Sequence, residues 1–118
     1  MSVTFNEKAL VFNELTLQML WPILDAVEQE GKVFVLLNPD SYLLDKNYKH
    51  VRHGGAVIKN LMAFDKTGSK LWEAEMPQDA DYYYRICSKS PLIANSFSSY
   101  RCQIDPNTGA ILSREFYK

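Results

Sequence analysis

The chain has 118 residues, of which 47% are hydrophobic and 23% are charged, and its formal net charge is −1. These values are typical of a folded protein, exclude a disordered chain, and predict a single domain over residues 1–118. A near-neutral chain lacks the basic surface that nucleic acids require, and its apolar runs are too short to span a membrane, so we expect neither partner.

Residues 9–21, "ALVFNELTLQMLW", contain two short apolar stretches separated by a polar pair. From Leu15 to Trp21 every second residue is large and apolar, and this period of two predicts a half-buried strand. Helical spacing also fits part of the segment. Pro22 argues against one long helix, because proline lacks the amide donor and clashes with the preceding turn.

Residues 22–37, "PILDAVEQEGKVFVLL", are compatible with two structures. Pro22 at a first helical position and Gly31 after the last one would frame a short helix. Alternatively, Ile23–Glu28 and Lys32–Leu37 form the strands of a hairpin that turns at residues 29–31, and we favour this hairpin. The run "VFVLL" is apolar on both faces, which predicts a central strand covered on both sides.

Residues 38–59, "NPDSYLLDKNYKHVRHGGAVIK", are rich in turn-forming residues and predict a long loop, a kind of segment that often carries function. We count Tyr48, His50 and His53 in this loop among the candidate partner-binding residues. Two histidines three apart could share a helix face and bind a metal together with Asp45. Because the segment has no helix signal, we interpret the histidines as solvated and predict no metal and no other cofactor.

The segments "LMAFDKTGSKLWEAEM" (61–76) and "YRCQIDPNTGAILSREFY" (100–117) follow one pattern. Each has an apolar strand, an aspartate, a polar turn that ends in Thr-Gly, and a leucine three residues after the glycine. The aspartate can accept a hydrogen bond from a following amide, and the glycine allows positive φ. The pattern predicts two hairpins of an all-β, mostly antiparallel meander with roughly seven to nine short strands and at most one short helix.

The hairpin "AFDKTGSKLWE" resembles those in the blades of pyrroloquinoline-quinone-type and related β-propellers. The second copy departs from that motif, because Leu112-Ser113 stands where the motif has Leu-Trp. A propeller needs at least four blades of roughly forty residues, more than this chain provides. The resemblance therefore implies an incomplete-propeller-like or sandwich-like meander, and no propeller cofactor chemistry carries over.

The chain as a whole resembles a group of small, uncharacterised bacterial proteins, on segments that include "WPILDAVEQEGKVFVLLNPD", "NLMAFDKTGSKLWEAE" and "ANSFSSYRCQIDPNTG". Small bacterial proteins of this kind are often immunity partners of secreted toxins. The resemblance therefore implies an interaction protein, an expectation that comes from association and not from the residues themselves.

Cys87 and Cys102 are fifteen residues apart and form no Cys-x-x-Cys pair, which argues against a zinc site. The first residues lack the basic-then-apolar pattern of an export signal, so we predict a cytoplasmic protein with free, buried thiols. Asp79 and Asp81 could act as an acid–base pair, but we interpret them as two solvated acids in a turn.

The segment "DYYYRICS" places Tyr82, Tyr83 and Tyr84 in succession, so at least one of them must point away from a core packed on one side. Tyrosine and arginine are enriched at binding hot spots, and Arg85 could stack on a partner or pair with its carboxylate. A strand buried on both faces is the alternative. We count these four residues and Asp81 as candidate partner-binding residues.

Three functions follow as hypotheses. We favour a protein-binding protein, of the immunity or antitoxin type, that covers a toxin's active face and is not an enzyme. The second hypothesis is a small-ligand-binding or enzymatic domain with a pocket between the long loop and the tyrosine strand, formed by His50, Asp81 and Arg85. The third is a structural subunit that pairs edge strands into a homodimer.

Overall fold

The computed structural model describes residues 2–43, 59–78 and 81–117, and in them eleven strands form three antiparallel sheets. Sheet 1 contains β1 (Val3–Asn6), β2 (Ala9–Phe12) and β3 (Leu15–Gln18). Sheet 2 contains β4 (Ile23–Gln29), β5 (Lys32–Leu37), β6 (Leu61–Asp65) and β7 (Lys70–Glu73). Sheet 3 contains β8 (Tyr83–Lys89), β9 (Leu92–Ser96), β10 (Tyr100–Ile104) and β11 (Ile111–Phe116). The predicted all-β fold is confirmed, with more strands than the sequence indicated because short strands such as β1 carry little pattern.

Every sheet is a meander of consecutive strands, and the sheets pack face to face with sheet 2 in the middle. β5 shows this arrangement best, because all five residues of "VFVLL" are buried. Val33 and Val35 pack in the cluster that sheet 2 shares with sheet 1. Phe34 and Leu36 pack in the cluster shared with sheet 3. The prediction of a central strand covered on both sides is therefore confirmed.

The hairpin predicted after Pro22 is confirmed, and the helix considered for the same residues is wrong. β4 and β5 turn at Glu30 and Gly31, whose φ values of 51° and 78° are those of a tight hairpin turn. The one helix of the described residues, α1 (Pro39–Leu43), instead lies in the region that we predicted as loop. Its start carries a cap, because Asn38 Oδ1 accepts a hydrogen bond of 3.0 Å from the Asp40 amide.

The turn chemistry of both repeated hairpins is confirmed. Asp65 Oδ1 accepts hydrogen bonds from the amides of Thr67 (2.9 Å) and Ser69 (3.0 Å), and Gly68 has a φ of 89°. The Thr67 hydroxyl and these amides lower the pKa of Asp65. In the second turn Asp105 Oδ1 accepts from the Asn107 amide at 2.8 Å, and Gly109 has a φ of 79°.

Each Thr-Gly turn also rests on the sheet that precedes it in the chain. In the second turn the Pro106 carbonyl accepts a hydrogen bond of 2.9 Å from Trp72 Nε1, and Gly109 lies against the indole. In the first turn the carbonyl of Lys66, the equivalent residue, accepts from Asn13 Nδ2 at 3.1 Å. The two copies of the turn therefore make equivalent contacts, each with the preceding sheet, through the carbonyl that follows the aspartate.

The series ends at sheet 3, and Ser113 shows why the second copy departs from the motif. Ser113 occupies the position of Trp72 and is exposed on the outer face. Along β10 the side chains alternate between this outer face and the buried face that carries Cys102 and Ile104. The outer face is largely polar and consists of Arg85, Ile93, Asn95, Arg101, Gln103, Ser113 and Glu115. No further sheet of the described chain packs there, so a tryptophan at this position would have nothing to support.

Candidate functional site

Aromatic side chains gather at one end of sheet 3. Because the sheet is a meander, the start of β8, the end of β9, the start of β10 and the end of β11 all meet there. We call the following six residues the aromatic end: Tyr82, Tyr84, Phe97, Tyr100, Phe116 and Tyr117. The side chains contact one another in three pairs at this end of the sheet.

Three pairwise contacts order the aromatic end. The rings of Tyr82 and Phe97 stack with centroids 5.0 Å apart. Tyr100 and Phe116 meet edge to face at 5.6 Å. The hydroxyls of Tyr84 and Tyr117 are in hydrogen-bond contact. Phe97 and Phe116 nevertheless remain 67% and 62% exposed, so the surface presents large apolar side chains to solvent.

The three consecutive tyrosines play different structural parts. Tyr83 is fully buried, and its hydroxyl donates a hydrogen bond of 2.6 Å to the Glu75 carbonyl. Tyr84 and Arg85 are exposed, whereas Tyr82 is half-buried against Phe97. A bulge between Tyr83 and Arg85 shifts the register against β9, which breaks the simple alternation of faces. The structure thus brings Tyr82 and Tyr84 to the aromatic end and places Tyr83 in the core.

Asp81 is buried, not solvated, and it organises the turn that presents Phe97. Its Oδ1 accepts hydrogen bonds from the amides of Tyr82 (2.8 Å) and Ser98 (3.2 Å), and its Oδ2 accepts from the Ser98 hydroxyl. The interpretation of a solvated acid was wrong for this residue, because the carboxylate has polar donors from the neighbouring turn. Asp81 therefore fixes the turn that carries Phe97 against the start of β8.

The candidate residues Tyr48, His50 and His53 lie outside the described residues, as do Asp45 and Asp79, so their roles stay predictions. In the described ranges no three His, Cys, Asp or Glu side chains come close enough to hold a metal ion. In the same ranges no helix is long and apolar enough to cross a membrane.

A groove of about 550 Å³ lies where sheet 1 meets sheet 2, away from the tyrosine strand. Met19, Trp21, Met62 and Phe64 contribute to its wall, and the highly exposed Leu20 borders it. Neither Asp81 nor Arg85 lines this groove. Of the residues named in the small-ligand hypothesis, Asp81 and Arg85 therefore lie elsewhere in the fold, and His50 lies outside the described residues.

Both cysteines are free thiols, but only Cys102 is buried as expected. The expectation was wrong for Cys87, which is exposed. A second bulge, between Ile86 and Ser88, interrupts the alternation of β8 at this residue.

Sequence reasoning missed Phe97, Phe116, Tyr117 and Arg101. Phe97 lies in a turn between serines, and a large apolar residue in such a turn is itself a signal of an exposed contact. The other three are far from the tyrosine run along the chain, and only the strand order brings them to the same end.

Arg101 and Tyr117 form a fixed pair on the outer face beside the aromatic end. The Arg101 Cζ lies 5.1 Å from the centroid of the Tyr117 ring, and Arg101 Nε donates a hydrogen bond of 3.3 Å to Asn95 Oδ1. Burial, followed by the hydrogen bond with Tyr84, raises the pKa of Tyr117 to about 12.

Replacing Tyr84 with phenylalanine tests this last contact. The variant should lower the pKa of Tyr117 from about 12 towards, but not down to, its ordinary value of 10.0, because burial remains. Tyrosinate absorbance, followed as pH is raised, measures the change. In the control Tyr100→Phe, which removes a hydroxyl elsewhere in the aromatic end, the high-pH step of Tyr117 should not move. A wild-type titration with no tyrosine step above the ordinary range would contradict the assignment.

The fold and the site define an all-β protein of three stacked meander sheets that exposes a cluster of aromatic side chains at one end of its last sheet. The chain belongs to a family described as a domain of unknown function, DUF7957, whose model matches residues 1–116. Searches of curated proteins and of solved structures gave no match.

Proposed function

We propose that the chain is a cytoplasmic protein-binding protein that inhibits a bacterial toxin in the manner of an immunity protein. The aromatic end of sheet 3 is its contact surface. The observation that carries the proposal is the exposure of Phe97 and Phe116, at 67% and 62%, at one end of sheet 3. Exposed aromatic residues beside an arginine are the side chains that dominate protein–protein binding energies.

Rigidity supports the same proposal. Tyr82 stacks on Phe97, and Asp81 fixes the intervening turn through Ser98. Side chains that are already held in place lose less entropy when a partner arrives. The choice of a toxin as the partner rests on the resemblance to small, uncharacterised bacterial proteins, a kind that is often an immunity partner of a secreted toxin. Family membership assigns no activity to the chain.

Co-expression with toxin domains encoded next to the gene tests the proposal. The wild-type chain should protect cells and co-elute with one such domain, whereas the double variant Phe97→Ser, Phe116→Ser should do neither. Removing two central anchors should weaken binding by about 100-fold or more. The matched control is Leu20→Ser, which removes an 83% exposed leucine outside sheet 3 and should leave protection intact. If wild-type chain gives no complex and no protection with any neighbouring toxin, the proposal fails.

The edge of β11 favours a homodimer as a second candidate. Among the strands that the structure describes, β11 pairs with β10 alone, and Leu112 and Phe116 are exposed on it. The Tyr117 amide bonds to Ser99 of the β10 side, so by alternation the backbone groups of Arg114 and Phe116 point to the open edge. Light scattering at several concentrations distinguishes a self-paired dimer from a monomer that is free to bind a toxin.

A further inference from the structure

Two arginines lie in one cross-strand row on the outer face of sheet 3. Arg85 of β8 and Arg101 of β10 are both in register with Asn95 of β9, so the asparagine lies between them. Both arginines are exposed, whereas Asn95 is only 4% exposed. Tyr84 and Tyr117 border the row on the side of the aromatic end. The row therefore joins a positive site to the aromatic surface.

The Arg101 guanidinium is held in place before any partner arrives. Its Nε donates to the buried Asn95 Oδ1, and its plane lies near the Tyr117 ring. Its two terminal amino groups have no hydrogen-bond or ion-pair acceptor in the part of the chain that the structure describes. A guanidinium fixed in this way presents two parallel N–H donors, the geometry that matches a carboxylate.

The charge of the row points to an acidic occupant. Glu115 is its one carboxylate, and it is in register with Arg101 across β10 and β11. Within the described ranges, however, the one ion pair closer than 4.0 Å joins Lys70 to Glu73 of sheet 2, so Glu115 does not neutralise Arg101 directly. Two cations against one anion leave the row with a net positive charge.

We infer that Arg101 is the receptor for a carboxylate of the protein partner, an aspartate or glutamate side chain that enters between Arg85 and the aromatic end. This inference rests on the proposed function and names the chemistry of its partner: an acidic side chain next to apolar ones. Arg101 forms the bidentate pair, Arg85 adds charge, and the rings of Tyr84 and Tyr117, which border the row, contact the apolar neighbours.

A peptide probe tests the receptor without a known partner. The probe is acetyl-Phe-Asp-Phe-amide, and its matched control replaces the aspartate with asparagine. The Nε–H resonance of Arg101 in nitrogen-labelled protein should shift and saturate with the aspartate peptide near about 1 mM. The asparagine peptide should be at least about tenfold weaker. Equal shifts with both peptides, or none, would overturn the inference.

Substitutions separate a receptor from a merely structural arginine. Arg101→Lys keeps the charge but loses the fork, and should weaken the aspartate peptide about tenfold while the amide spectrum stays that of the folded protein. Because the variant has no Arg101 Nε–H, its binding is followed through the backbone amide resonances of Tyr84 and Tyr117. Lys89→Gln, which removes an exposed cation at the far end of β8, should bind as wild type does. If Arg101→Lys binds the peptide as tightly as wild type, a fork-shaped receptor is excluded.

The same variants distinguish failure of the inference from failure of the proposed function. If a toxin is captured through Phe97 and Phe116 but its affinity is unchanged in Arg101→Lys, the proposed function stands and the carboxylate receptor falls. If the aspartate peptide binds at Arg101 but no neighbouring toxin is captured or neutralised, the receptor stands and the toxin-inhibitor function falls.

Discussion

Gly109→Ala is expected to lower the free energy of unfolding by about 3 to 5 kcal/mol, which approaches the whole stability of a marginal domain. A Cβ on Gly109 would lie 2.7 Å from Trp72 Cε3, 2.8 Å from Trp72 Cδ2 and 3.1 Å from the Glu73 carbonyl. The backbone φ of 79° adds strain for any residue with a Cβ. Because the indole also donates to Pro106, it cannot move aside without losing that hydrogen bond. Urea unfolding measures the loss.

Two other glycines provide matched controls. Gly31 has nearly the same φ, 78°, but no atom lies within 4 Å of the added Cβ, so Gly31→Ala should cost only about 1 kcal/mol. At Gly68 the nearest atom is Leu15 Cδ1 at 3.3 Å, the end of a flexible side chain, and we expect about 2 kcal/mol. If Gly109→Ala and Gly31→Ala destabilise equally, Trp72 is not a rigid neighbour of the second turn.

Asn60→Leu is expected to cost about 4 kcal/mol, because it removes the polar link between sheets 2 and 3. Asn60 is fully buried, and its Nδ2 donates to the carbonyls of Leu37 (3.0 Å) and Tyr83 (2.7 Å). Its Oδ1 accepts from the Tyr83 amide at 3.0 Å. Leucine has nearly the same shape, so it fills the space but leaves three buried backbone groups without a partner.

The asparagine prediction has two controls in the same urea experiment. Asn60→Asp retains an acceptor for the Tyr83 amide but loses both donors, so it should also be strongly destabilising, and less so in acid, where the carboxyl is protonated. Asn107→Leu, at an exposed turn position, should change the stability by less than about 0.5 kcal/mol. A neutral Asn60→Leu variant would mean that Leu37 and Tyr83 find other partners.

The parts of the fold that follow from local chemistry could be predicted from the sequence. The turns at Asp65 and Asp105 depend on residues within four positions of each other, and both were predicted with their hydrogen bonds. The central position of "VFVLL" followed from its two apolar faces. The stacking of sheets could not be predicted in this way, because nothing near Trp72 in the chain indicates that it supports the turn at Gly109, thirty-seven residues later.

The candidate site was predicted in part for the same reason. The tyrosine run indicated an exposed aromatic residue, and Tyr84 is exposed, but which tyrosine enters the core depends on a bulge that the residue pattern does not show. Asp81 resembled a solvated acid until the turn containing Ser98 was placed against it. Phe116 and Tyr117 reach the site through the order of β8 to β11, a property of the whole sheet.

The double coverage of sheet 2 has a consequence for synthesis on the ribosome. Each meander is complete within a short stretch of chain, so the sheets can form in the order in which they emerge. Sheet 1 and sheet 2 can pack together first. The face of sheet 2 that carries Phe34, Leu36 and Trp72 stays exposed to solvent until the strands of sheet 3, up to residue 117, have left the exit tunnel. A nascent chain stalled before β8 therefore exposes an apolar face that is prone to aggregation, and it would depend on chaperones until sheet 3 is synthesised.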